Sequence, residues 1–334
     1  MSIHLSLLFL LLIQPPAPLP EFDFDPEVSR RQITFLASDA LLGRMTGEPG
    51  LDTAAAFIAR HFEAHGLKPN PQTGTYYQPF EATMRNGRIL KTQNVVGIID
   101  GTDPLLKDEY VIVMAHYDHV GARRTVAALT DTIYNGARDN AMGVVALMHV
   151  AEAFSKVPTR RSVIILPVSA EEIGLLGSRH YIEHPVVPLD KTVYVSNIDG
   201  AGYNTTEAVT VIGLNRTTAK PYIEAAGAAF GLAVLDDPAP EQGLFNRSDN
   251  VNFASRGVPA PTFSAGFTAF DTEIMKYYHQ PADQADEHFD FAYLHRYVQV
   301  FVHATRLIAD ADERIVWTPG DTYEAAFHSL YSNR

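Results

Sequence analysis

The 334-residue chain contains no cysteine. That absence excludes disulfides, thiol nucleophiles and thiolate-bound metal, and leaves His, Asp and Glu as the available metal ligands. No apolar run long enough for a transmembrane helix is present either; the run at residues 5–13 is too short to cross a bilayer. It has the length of a signal-peptide core, and a Pro-rich segment, 14–20, follows it. Residues 1–20 are therefore read as an export signal, with the mature protein expected in the periplasm or outside the cell, although no Lys or Arg precedes the run. Positive charge is also scarce. Twenty-six Lys and Arg against 39 Asp and Glu leave a net charge of -13, which argues against a nucleic-acid backbone as partner. Internal repeats are absent.

A hydrophobic content of 46% supports a substantial core, and the chain from residue 21 to 334 reads as one α/β domain. Three buried strands carry the chemistry. The strand at 162–168 is followed by Glu171 and Glu172. Neighbouring side chains alternate along an extended backbone, so one acid can bind a metal while the other handles a proton; the competing reading is a solvated pair that opens a helix. The strand at 110–115 runs into His116, Tyr117, Asp118 and His119. His116 and Asp118 share a face there, an imidazole able to bind a metal with a carboxylate orienting it. The strand at 192–198 ends in Asp199. Asp139 precedes a helix at 144–154, where a carboxylate either caps the helix or faces the site.

Strand, helix and strand in succession make a βαβ unit with parallel strands. Ligands of open α/β sheets bind at the carboxyl ends of the strands. His116 with Asp118, Glu171 with Glu172, and Asp199 all occupy that position, and this shared placement points to a metal site. His279, in the loop at 277–286, reads by itself as an ordinary loop histidine.

Elsewhere the pattern predicts helices at 26–37, 51–67, 174–184, 221–230, 248–255 and 291–308. It predicts further strands at 76–83, 93–99, 208–214 and 261–264, a turn-rich loop at 43–50, and a docked or loose tail from Trp317. The loops at 121–135, 242–247 and 265–277 are the expected walls of a substrate pocket. Their aromatic residues, with Phe245, Phe263, Phe267 and Tyr277 among the candidates, suggest that it is apolar.

The ordered set His116-x-Asp118, Asp139-Asn140, Glu171-Glu172, Asp199 and Tyr278-His279-x-Pro281-x-Asp283 resembles the co-catalytic di-zinc aminopeptidase family, which also includes glutamate carboxypeptidases, glutaminyl cyclases and the transferrin-receptor ectodomain. The resemblance covers roughly residues 25–310. It implies a single α/β/α sandwich with a mixed, mainly parallel central sheet, acting on peptide or aminoacyl substrates. It further implies two zinc ions: one held by His116 and Asp199, the other by Glu172 and His279, with Asp139 bridging. Asp118 would orient His116, and Glu171 would be the general base for a hydroxide bridging the metals. A cis peptide at Asp139-Asn140 is implied as well.

Two other outcomes belong to the same resemblance. A glutaminyl cyclase works with one zinc and typically lacks the first histidine, whereas His116 is present. A non-catalytic ectodomain has lost metal ligands, whereas all five are present. The chain departs from the family at Met142, where a small residue is common, at Asn250, where His is common, and in the Gly-Ala-Gly that follows Asp199. These departures bear on substrate preference more than on catalysis.

Overall fold

The computed structural model describes residues 24–123 and 132–332. The expected export signal, and most of the loop at 121–135, lie outside the described residues. The strands are β1 (Tyr77–Thr83), β2 (Ile89–Val95), β3 (Gly97–Ile99), β4 (Tyr110–His116), β5 (Ser162–Val168), β6 (Thr192–Ile198), β7 (Ala208–Ile212), β8 (Ala233–Leu235) and β9 (Thr262–Ala265). The α-helices are α1 (Pro26–Leu36), α2 (Pro49–Ala64), α3 (Met142–Lys156), α4 (Leu176–Glu183), α5 (Lys220–Ala229), α6 (Asn250–Ala254), α7 (Thr272–Met275), α8 (Phe291–Asp310) and α9 (Glu324–Tyr331). None is long and apolar enough to cross a membrane among the described residues.

Seven strands form one sheet in the order β3-β5-β4-β6-β9-β7-β8. β5, β4, β6 and β9 run parallel, while β3 and β7 pair antiparallel with β5 and β9. Almost every residue of β4, β5 and β6 is buried, as required when helices cover both faces. Alternation along β4 divides the core. Val111, Val113 and Ala115 join the larger apolar cluster with α2, α3 and α8, while Ile112 and Met114 join Tyr181, Phe253 and Trp317 on the other face. The result is an α/β/α sandwich with a mixed, mainly parallel sheet.

The expected strand at 93–99 breaks at Val96. Its first part pairs with β1 in a separate hairpin, and its second part joins the main sheet. Gly97 permits the crossing, because a Cβ there would lie 2.7 Å from both Phe62 and Leu67. β8 went unrecognised; three partly exposed residues at a sheet edge are too few to show alternation. The tail is docked. The Trp317 indole N–H donates to the Gly257 carbonyl at 2.9 Å, and Tyr331 of α9 is buried.

His149 of α3 lies under α1, where its Nε2 and the Ser29 hydroxyl share a hydrogen bond of 2.8 Å. Burial holds its pKa down to about 4. A folded-state pKa depressed below the unfolded value of about 6.5 means that the unfolded chain takes the proton first as pH falls. Stability should therefore drop between about pH 6.5 and pH 4, by on the order of 3 kcal/mol for this group. Urea titrations at pH 7 and pH 5 should show a lower midpoint at pH 5 and a weaker difference in His149→Gln; an undiminished pH slope in that variant would contradict this account.

Candidate metal centre

The parallel strands deliver their ligands to one edge. His116 ends β4 and is 1% exposed, and Asp118, two residues on, is fully buried. Beyond β5 the backbone turns through Ala170 in a left-handed conformation (φ 61°), placing Glu171 and Glu172 beside them. Asp199 follows the last residue of β6. Asp139 lies in a turn, Ala137–Ala141, just before α3, and its peptide bond to Asn140 is cis. The N-cap position of α3 is Ala141, not Asp139.

Asp139 divides its carboxylate between two groups. Its Oδ1 lies 3.2 Å from His116 Nε2, and its Oδ2 lies 3.2 Å from His279 Nε2. Around the first, Asp199 Oδ1 is 3.3 Å from His116 Nε2. Around the second, Glu172 Oε2 is 3.0 Å from His279 Nε2. Two potential ligand sets share Asp139, namely His116–Asp139–Asp199 and His119–Asp139–Glu172–His279; a third group, His116–Glu171–Glu172, lies between them in composition, and in each the ligand atoms are within 4.8 Å of one another. All five sequence-derived ligand candidates therefore converge, and Glu171 faces the same space.

His119 was quoted in the sequence motif but given no role. Its ring is fully buried, and Nδ1 donates to Glu172 Oε1 at 2.8 Å. The Nε2 atom has no hydrogen-bond partner among the described residues. The signal was a second imidazole three residues after His116, but a histidine beyond a strand end has no direction that sequence can show. Gly136 makes room for this ring: its φ is 59°, and a Cβ would fall 2.7 Å from the imidazole.

Asp118 acts on more than its neighbour. The His116 Nδ1 donates to the Asp118 backbone carbonyl at 3.1 Å, while the Asp118 carboxylate is 3.7 Å away. That carboxylate instead accepts from the backbone N–H of Glu171 at 3.2 Å, from the N–H of Glu172 at 3.4 Å and from the Thr46 hydroxyl at 3.1 Å. It thus fixes the backbone that carries both glutamates.

Two buried cations hold the surrounding turns. Arg44, 1% exposed, donates to the carbonyls of Leu36, Tyr117, Asn135 and Gly136, tying the end of β4 to the Asp139 turn. The loop at 43–50 is therefore partly a structural element, a 3₁₀ segment (Asp39–Arg44) that delivers this side chain. Arg138 pairs with Asp283 at 3.1 Å beneath the Tyr277 ring. Asp283 also accepts from the backbone N–H groups of Arg138 and Asp139, joining the His279 loop to the Asp139 turn.

The electrostatics follow from crowding. Burial pushes Asp118 up to about 6, and burial with neighbouring acids drives Glu171 well above the usual carboxylate range. Burial also opposes ionisation of Asp139 and Glu172, but the imidazoles outweigh it and hold both below that range. Burial opposes protonation of His279 too, and there the Asp139 and Glu172 carboxylates raise it to about 10. A set of buried oxygen and imidazole donors with surplus negative charge fits divalent cations of the zinc class.

The adjoining cavity, about 660 Å³ with its open mouth, is walled by two of the expected loops, 242–247 and 265–277. Of the aromatic candidates Phe267 lines it. Phe245 packs on Trp317 and Tyr323, Phe263 on Phe301, and Tyr277 over Arg138. Its apolar wall is completed by Ile212, Leu244, Phe270 and Ile274. Met142 is 3% exposed in the core and does not line the cavity.

A family model described as Peptidase family M28 matches residues 94–305. Aminopeptidase YwaD of Bacillus subtilis (strain 168) is 27% identical over 197 residues, 58% of this chain but only 40% of that protein. The alkaline phosphatase isozyme conversion protein of Escherichia coli (strain K12) is 24% identical over 85% of this chain and 89% of its own length. Among solved structures, a zinc aminopeptidase from Bacillus subtilis superposes with a TM-score of 0.68 at 16% identity, covering 88% of this chain and 98% of that one. A glutaminyl cyclase from Fimbriiglobus ruber does so with a TM-score of 0.62 at 17% identity, covering 88% and 99%.

A hydrogen bond that orients a ligand carboxylate is typically worth 10–100-fold in metal affinity. His119→Ala should weaken zinc binding on the Glu172–His279 side by that amount in chelator competition. Unchanged affinity would make the contact dispensable.

Proposed function

The chain belongs to peptidase family M28, and on that footing we propose that it is a metal-dependent aminopeptidase working with two divalent cations, zinc in the first instance. The observation that carries the proposal is the division of Asp139: one carboxylate oxygen faces His116 and Asp199, and the other faces Glu172 and His279. In this reading Asp139 is shared by both ions, His116 and Asp199 complete one set, and Glu172 and His279 complete the other. Paired cations, when bound, lower the pKa of water and polarise the scissile carbonyl.

The remaining steps belong to side chains of the protein. Glu171 lines the cavity beside both ligand sets, and its raised proton affinity suits a group that accepts a proton from water and returns it to the leaving amine. Cations bound beside it bring that affinity down toward the working pH. Asp118 holds the Glu171 N–H, which keeps the carboxylate aimed while it changes protonation state. The apolar cavity wall excludes water from the bound residue. His116 favours this reading over a one-metal cyclase, because a buried imidazole already joins Asp139 to Asp199. Export by residues 1–20 belongs to the same proposal and is checked by sequencing the amino terminus of the mature protein.

Aminoacyl chromogenic substrates, assayed with and without chelator, test the activity. Glu171→Gln should lower kcat by about 10²–10⁴-fold with metal content retained. His116→Ala should remove one of two bound ions. Hydrolysis that persists without metal, or a Glu171→Gln protein with full turnover, would overturn the proposal.

A further inference from the structure

The cavity lining carries both signs of charge. Asp139, Glu171, Glu172 and Asp199 line it. Arg247 lines it as well, the only Lys or Arg to do so among the described residues. Its Nη2 donates to the Tyr278 hydroxyl at 3.2 Å, and it pairs with no carboxylate among the described residues. This sets it apart from Arg138, Arg161 and Arg216, each of which meets an acid at 3.1 Å or less in this acidic protein. Tyr278 places it relative to the chemistry: its ring stacks on His279 with centroids 4.2 Å apart, and its hydroxyl reaches the guanidinium. The same lining includes Ile212, Leu244, Phe267, Phe270 and Ile274.

We infer that Arg247 receives a carboxylate of the substrate. The inference rests on the aminopeptidase reading above and names the substrate class for that site. A guanidinium offers a fork of N–H donors that matches a carboxylate in two parallel bonds, and one bond to a phenol leaves most of that fork free. With cations bound, the carboxylates that hold them are charge-balanced, and Arg247 remains a cationic side chain of the lining able to attract a substrate carboxylate. The carboxylate comes either from the free C-terminus of a dipeptide or from an acidic side chain on the residue released.

Matched substrate pairs separate the two sources. The zinc-loaded full chain is assayed on Leu-Leu against Leu-Leu-amide, and on glutamyl against glutaminyl p-nitroanilide. One pair should show at least a tenfold preference in kcat/KM for the carboxylate member, expressed mainly in KM. Arg247→Met should bring that ratio close to one, and Arg247→Lys should retain part of it. A wild-type ratio within twofold in both pairs, or a ratio that Arg247→Met preserves, overturns the inference while leaving metal-dependent hydrolysis intact. A second arm does not depend on turnover. Calorimetry with zinc-loaded Glu171→Gln should show Leu-Leu or glutamyl-amide binding at least tenfold more tightly than its uncharged counterpart, with the difference lost when Arg247→Met is added. Equal binding overturns the inference even if the chain hydrolyses no peptide, so the two proposals fail separately.

Discussion

Five acids crowd the carboxyl edge of the central sheet, namely Asp118, Asp139, Glu171, Glu172 and Asp199, and the rest of the structure is arranged around their mutual repulsion. Buried like charges are tolerated only when paired or neutralised. Three imidazoles meet part of this demand, at 2.8–3.3 Å from Asp139, Glu172 and Asp199. Asp118 meets its share by accepting two backbone N–H groups and a hydroxyl. Glu171 is left with raised proton affinity, which separates it chemically from the adjacent Glu172. Two neighbouring residues of one type thus acquire opposite shifts in proton affinity from their surroundings alone.

The scaffold supplies rigidity where that charge accumulates. β4, β5 and β6 are packed on both faces, so the residues at their ends have little freedom to move apart. The turns between them are held by buried arginines directed at backbone carbonyls or at a single acid, not at the ligand carboxylates. Arg44 donates to main-chain oxygens, and Arg138 is committed to Asp283. Cationic side chains therefore shape the site without filling the place that metal ions would take.

Much of this was legible in the sequence because strand ends are legible. Continuous apolar runs located β4, β5 and β6, and the acids and histidine after each run were bound to share an edge once the strands were parallel. Relations that depend on backbone direction were not legible. The orientation of the His119 ring toward Glu172, the preference of the Asp118 carboxylate for the 171–172 backbone, and the burial of Arg44 all arise from turns with left-handed residues or from contacts distant in sequence. The pocket was legible only in part for a related reason. Phe267 and Phe270 of an expected loop line it, but Phe245, Phe263 and Tyr277 found partners in the core or over a guanidinium, and Ile212, Leu244 and Ile274 complete the wall.

The bond network of Asp283 reaches back 145 positions to Arg138. It seats the loop bearing His279 on the turn bearing Asp139, so neither the shared carboxylate nor the last imidazole is in position until both have met. A ribosome must release the segment bearing Asp283 before that meeting can occur. Until then the growing polypeptide lacks the contact that joins these two parts of the acid and imidazole cluster.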